Sequence, residues 1–144
     1  MRRAREFYLL ALKIATRAHR GQRDRQGIAY INHPVAVAKA VSGLARKTVA
    51  VLHDVVEDTS VTQADIDLQF PGEIAWAVDA MTRREGELYK RYIERVALND
   101  LAKAVKLADI AHNLSRPYPG SEGMERRYRP AVAFLTTGRW PQAE

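Results

Sequence analysis

A chain of 144 residues, 47% of them apolar, has the length for one domain, 1–144, and enough apolar side chain to fill an ordinary core without disulfide staples. It contains no cysteine, which excludes disulfides, thiolate nucleophiles and thiolate zinc sites and agrees with a reducing, cytoplasmic setting. Its 23 Lys and Arg against 17 Asp and Glu leave a formal charge of +6, which favours anionic partners.

The stretch MRRAREFYLLALKIA is interrupted by Glu6 and Lys13 and precedes no small-residue cleavage site, so it reads as a first helix rather than an export signal. Apolar residues at Phe7, Leu10, Ala11, Ile14, Ala15 and Ala18 recur at helical spacing and predict an amphipathic helix from about Ala4 to His19. The polar loop GQRDRQG, Gly21 to Gly27, then leads into YINHP, where Pro34 fits the first turn of a second helix running to about Leu44. A third helix is expected over roughly Lys47 to Glu57. Thr62 with Asp65 resembles a capping box for a fourth, and Pro71 and Gly72 separate that one from a fifth through Trp76 to Met81. Periodic runs from Leu88 to Val96 and from Leu101 to Leu114 predict two more. PYPGSEG, Pro117 to Gly123, is a loop, and Met124 to Leu135 a last helix that Pro130 is expected to bend or break. No strand alternation persists, and no apolar run approaches the roughly 20 residues that cross a bilayer. The expected fold is an all-α bundle of seven to eight helices with no significant sheet.

Basic residues group at Arg2, Arg3 and Arg5, at Arg17, Arg20, Arg23 and Arg25, and at Arg126, Arg127 and Arg129. Solvated helix faces account for the two terminal groups. Only Arg17 to Arg25 lies near a candidate site in sequence.

That site centres on HDVVEDT, His53 to Thr59. On a helix Glu57 stacks on His53 and Asp58 on Asp54, so one edge offers an imidazole and three carboxylates. The first two can hold a divalent cation while Glu57 and Asp58 steer or deprotonate a bound water. His33 in YINHP, Asp109 in AVKLADIAHNL and Asn113 one turn later are polar residues in apolar or turn settings, where burial demands a partner. An ion pair with Lys106 would account for Asp109 alone, and a capping or core role for His33 alone; His19 and His112 read as structural or peripheral. Taken together, His33, His53, Asp54 and Asp109 supply two imidazoles and two carboxylates, a mix that suits manganese, iron, cobalt or zinc.

The motifs AHRGQ, YINHP, HDVVEDT and VKLADIAHNL, in this order from about Arg17 to Ser115, resemble the hydrolase domain of the RelA/SpoT family within the HD phosphohydrolase superfamily. By size the chain resembles the small stand-alone alarmone hydrolases of the metazoan SpoT-homologue type. The resemblance implies an HD-domain helical bundle in which His33, His53, Asp54 and Asp109 bind one metal, typically Mn²⁺. It implies that Glu57 and Asp58 position and activate the attacking water and that Asn113 orients substrate or the groups behind the metal ligands. The implied reaction removes the 3′-pyrophosphate of ppGpp or pppGpp, giving GDP or GTP and pyrophosphate.

Departures from the family pattern bear on the substrate. Where the family places Arg-Lys before a small residue and Gly, to stack on the base and hold phosphate, this chain has Asp24, Arg25, Gln26 and Gly27, with Arg23 next to the altered position. Ile110 and Ser115 stand where arginines often follow the LAD motif, and Arg116 is an adjacent substitute. The connection between Val41 and Val49 is shorter than usual. Tyr89, Lys90, Arg91 and Tyr92 fall where the family brings substrate-contacting residues, Lys90 among them, although a surface helix with snorkelling lysine and arginine is the favoured reading of the four. Two alternatives therefore stand beside (p)ppGpp hydrolysis. One keeps the chemistry on an adenosine analogue such as ppApp or on the 2′-phosphate of NADPH. The other is a non-catalytic nucleotide or RNA binder; such a binder has no need of HDVVEDT with Asp109, so a nucleic-acid partner is not expected. A homo-oligomer is possible for a bundle of this size, but no sequence feature marks a dimer face.

Overall fold

The computed structural model describes residues 3–142; Met1, Arg2, Ala143 and Glu144 lie outside them, and with them the Arg2 of the first basic group. Nine helices follow in chain order: α1 (Ala4–Ala18), α2 (Asn32–Ala40), α3 (Leu44–Leu52), α4 (Val55–Asp58), α5 (Gln63–Gln69), α6 (Gly72–Met81), α7 (Tyr89–Ala97), α8 (Asp100–Leu114) and α9 (Glu122–Thr137). There is no strand among the described residues, only an isolated antiparallel bridge between Arg23 and Ala29. None of these helices is long and apolar enough to cross a membrane.

The bundle is organised around α3 and α8. Thr48 to Leu52 are buried without a break, so α3 has no solvent face over its second half, and α1, α2, α6 and α8 all pack on it. Ala11 and Ala15 form the buried stripe of α1, small enough to bring it close against α3. Helix α8 also meets α2, α6, α7 and α9 and buries Ala102, Val105 and Ile110 completely. Side chains such as Leu52, Ile66, Ile93 and Ile110 are buried to completion, each worth ~1.5–3 kcal/mol of removal from water.

Several expected boundaries shift for identifiable reasons. The second helix stops at Ala40 instead of reaching Leu44, because Val41 is extended and Gly43 takes φ +88°, a left-handed conformation that suits glycine. Leu44 then opens α3, earlier than the expected Lys47. That helix does not run on to Glu57. It ends at Leu52 because the Ala50 carbonyl, which a continuing helix would offer to the Asp54 N–H, accepts instead from the His53 backbone N–H and from its ring Nδ1 at 2.6 Å. The chain restarts as the single turn α4, with Asp54 as its N-cap, so the expected third helix is split in two. Pro130 does not break the last helix, which continues through it to Thr137. The capping box is present as expected: Asp65 N–H donates to Thr62 Oγ1 at 3.1 Å and Thr62 N–H to Asp65 Oδ2 at 2.9 Å.

Candidate active site

Three parts of the chain meet between α2, α3 and α8. His33 sits in the first turn of α2, His53 and Asp54 fill the break between α3 and α4, and Asp109 projects from the third turn of α8. His33 Nε2 lies 2.8 Å from Asp109 Oδ1 and 3.9 Å from Asp54 Oδ2. His53 Nε2 lies 3.0 Å from Asp54 Oδ2 and 3.3 Å from Asp109 Oδ1. Both histidines and Asp109 are buried. His53 Nε2 has no hydrogen-bond partner of acceptable geometry, although it is sealed from solvent.

These distances test whether the group fits a divalent ion. Neighbouring ligand atoms around a cation at bond lengths of about 2.1 Å stand about 3.0 Å apart, and three of the four separations cluster there. The tautomers agree. Because a carbonyl only accepts, the 2.6 Å contact with Ala50 O places a proton on His53 Nδ1 and leaves Nε2 as the ligand atom. Burial favours the neutral His53 ring, but the carboxylates of Asp54 and Asp109 outweigh it and push the pKa well above its ordinary value, so a cation here takes the place of a proton. His33, His53 and Asp109 bring ligand atoms within 4.8 Å of one another, and Asp54 Oδ2, 3.0 Å from His53 Nε2 and 3.9 Å from His33 Nε2, adds a second carboxylate at their edge, a set of atom types that suits a divalent metal.

Each of them is also held from outside. His33 Nδ1 is 2.7 Å from His112 Nδ1, with the two rings stacked. Burial, then the positive Arg116, keeps the His112 pKa low; a neutral His112 can accept the His33 Nδ1 proton and so direct the His33 Nε2 lone pair at the centre. Asp54 Oδ2 accepts from the Tyr30 hydroxyl at 2.5 Å. Burial and the Asp54 carboxylate raise the pKa of that phenol, which therefore stays a donor. Asp109 Oδ2 accepts from Lys106 Nζ at 2.9 Å. Burial opposes both charges of that pair, yet Lys106 and His53 hold the Asp109 carboxyl well below its usual range, and Asp109 holds the Lys106 ammonium well above. The ion pair with Lys106 and the ligand-like contacts thus coexist, one on each oxygen of Asp109.

The single turn of α4 brings Glu57 and Asp58 beside Asp54, with one oxygen of each within 4.8 Å of the others. Glu57 Oε1 accepts the Arg83 N–H in a short contact. Removal from bulk water, then the negative Asp54, raises the pKa of both Glu57 and Asp58. A cavity of about 490 Å³ opens over Asp54, Glu57 and Asp109. Arg23, Asp24, Arg25 and Asn113 line it as the sequence suggests, whereas Asp58 faces an adjoining open groove with Arg84 and Glu87. Asn113 Nδ2 lies 3.4 Å from Asp109 Oδ1 and 3.5 Å from the Tyr128 hydroxyl. Lys90 does not line the cavity; its ammonium sits 5.2 Å from the Trp140 ring, and its neighbour Tyr89 takes the inward position. Arg127, which the sequence assigns to a solvated cluster, also reaches the cavity and lies 3.9 Å from the Tyr89 ring. Tyr30, Tyr128 and His112 have no local signal as site residues, although Tyr30 stands three places before His33 in YINHP.

Comparison with known proteins agrees with this geometry. The HD domain family matches residues 11–106. A human protein named guanosine-3′,5′-bis(diphosphate) 3′-pyrophosphohydrolase MESH1 is 37% identical over 120 residues, covering 74% of this chain and 66% of that one. The Escherichia coli bifunctional (p)ppGpp synthase/hydrolase SpoT is 33% identical over 129 residues, 79% of this chain. The chain spans 15–18% of the length of such bacterial relatives. A solved structure of a metazoan orthologue of SpoT, described as hydrolysing ppGpp, superposes with a TM-score of 0.76 at 26% identity, covering 93% of this chain and 87% of that one. With its helical bundle, its paired His53 and Asp54 and a family match from residue 11 to residue 106, the chain belongs to the HD-domain family.

Proposed function

We propose that this chain is a metal-dependent pyrophosphohydrolase that removes the 3′-pyrophosphate of (p)ppGpp, with His33, His53, Asp54 and Asp109 holding one divalent ion. The single observation that carries the reading is the convergence of those four ligand atoms at cation spacing beneath a basic cavity. The names of the human and bacterial relatives support the reaction and the substrate class. Mn²⁺ is the proposed ion, and iron, cobalt or zinc suit the same ligands. When bound, such an ion lowers the pKa of water and draws charge off a phosphoryl oxygen.

The protein supplies the rest. Glu57, made more basic by its removal from bulk water, orients the attacking water and takes its proton, and Asp58 holds negative charge beside it. Arg23, Arg25, Arg127 and Lys106 neutralise the polyphosphate from the cavity walls. Asn113 donates to a substrate oxygen or keeps Asp109 in place. The absence of an arginine at position 24 removes the family's base-stacking group, so ppApp and NADPH are the second reading with the same chemistry.

The test is phosphate and pyrophosphate release from ppGpp, ppApp and NADPH with Mn²⁺ and with chelator, using His53→Ala as control. Manganese-dependent pyrophosphate release from ppGpp, lost in the control, is the expected result. Faster turnover of ppApp or NADPH moves the function to that substrate, and inactivity on all three overturns the proposal.

A further inference from the structure

Asp24 and Arg116 both depart from the family pattern, and they lie 92 residues apart in sequence. In the fold they meet: Arg116 donates to Asp24 Oδ2 at 2.8 Å, with side-chain exposures of only 24% and 12%. Asp24 Oδ1 is engaged as well, accepting the Gln26 N–H at 2.9 Å and the Ile28 N–H at 3.0 Å, while Gly27 turns the loop at φ +80°. Both oxygens of Asp24 thus already have protein partners. Two further contacts join the same segments, Gln26 Nε2 to the Pro117 carbonyl at 3.3 Å and the Arg25 guanidinium 5.1 Å from the Tyr118 ring. Arg116 Nε is buried without a protein partner, a donor that a bound anion would satisfy.

We infer that Asp24 and Arg116 form a clasp that joins the two loops at the cavity mouth and holds Arg25 against Tyr118, creating a flat cation–aromatic surface for the base of a nucleoside polyphosphate. The inference rests on the nucleotide-hydrolase reading above. A guanidinium backed by a tyrosine ring presents a rigid, delocalised, positively charged plane, which suits a purine attached to phosphates. The aspartate shapes that plane from behind instead of touching the base. A loop held in place before substrate arrives also reduces the ordering cost of binding, so the clasp acts on affinity and not on the chemical step.

Steady-state kinetics of the Mn²⁺-loaded full chain on ppGpp test this. Asp24→Asn keeps an oxygen for the loop amides and loses the ion pair; Arg116→Gln loses it from the other side. Each is expected to raise KM roughly tenfold, equivalent to ~1.4 kcal/mol, with kcat within about threefold, and Asp24→Asn, which keeps the Arg116 charge beside His112, is expected to leave Mn²⁺ affinity unchanged. The double variant should be no worse than the weaker single, because both remove one interaction. Tyr118→Leu should raise KM in the same way. Unmoved KM values in an active protein, additive losses in the double variant, or a parallel fall in the Mn²⁺ affinity of Asp24→Asn each overturn the clasp. An inert wild-type protein overturns the clasp and the hydrolase reading together.

Discussion

Replacing Lys106 by Met removes a buried cation whose Nζ lies 2.9 Å from Asp109 Oδ2 and leaves a shape-matched apolar side chain. At that distance the gross attraction is about 6 kcal/mol for an effective dielectric of about 20. Desolvation offsets part of it, and breaking a buried pair from one side typically costs about 3–5 kcal/mol because the remaining charge is stranded. Taking an unfolding entropy of ~2.1 cal/mol/K per residue over 144 residues, that loss lowers the Tm of the chelated protein by roughly 10–17 °C. Bound metal changes the outcome. A divalent ion neutralises Asp109 in place of the ammonium, so metal-loaded Lys106→Met should lose much less, and by linkage its metal affinity should rise. Paired thermal melts with chelator and with saturating Mn²⁺, together with a Mn²⁺ titration, read both effects. A chelated variant within about 3 °C of wild type, or equal losses in both states, would refute the coupling between Lys106 and the metal position.

Glu57→Gln keeps an oxygen for the Arg83 N–H, so it should fold and retain metal while losing about 10²–10⁴-fold in kcat; full activity would remove Glu57 from its assigned role. His112→Ala deprives His33 Nδ1 of its partner, and a Mn²⁺ titration should show about 10–100-fold weaker binding, partly restored in His112→Asn, which keeps a hydrogen-bonding group. Glu87 is held at a pKa of about 2, first by its hydrogen bonds from Arg95. A depressed acid stabilises the fold above its unfolded pKa of roughly 4.3 and loses that contribution as pH falls toward the folded value. Urea melts at pH 7 and pH 3 should therefore show a smaller stability difference for Glu87→Gln than for wild type.

The helices and the His–Asp cluster are legible in the sequence to different depths. Apolar periodicity located α1, α6, α7 and α8 because each buries one face, and HDVVEDT with Asp109 stood out because buried charge is rare without a partner. The break at His53 left no periodic signature, since it depends on a side chain capturing its own helix's carbonyl. Sequence position alone does not separate Lys90 from Tyr89; adjacent helical residues point about 100° apart, and of the two Tyr89 faces the cavity. The pairing of Asp24 with Arg116, and the reach of Arg127 into the cavity, arise from packing between distant segments, which local pattern does not encode.

The two halves of the site rest on different kinds of backbone. His33, His53, Asp54 and Asp109 are carried by, or wedged between, helices packed into the core, whereas Asp24, Arg25 and Tyr118 belong to surface loops. Core positions resist change because every substitution disturbs packing, while loops tolerate substitution and alter length at little cost. Under the proposed function, a lineage can therefore exchange the loop residues that meet the nucleotide and leave the buried cluster untouched, so preference for substrate drifts faster than the reaction itself.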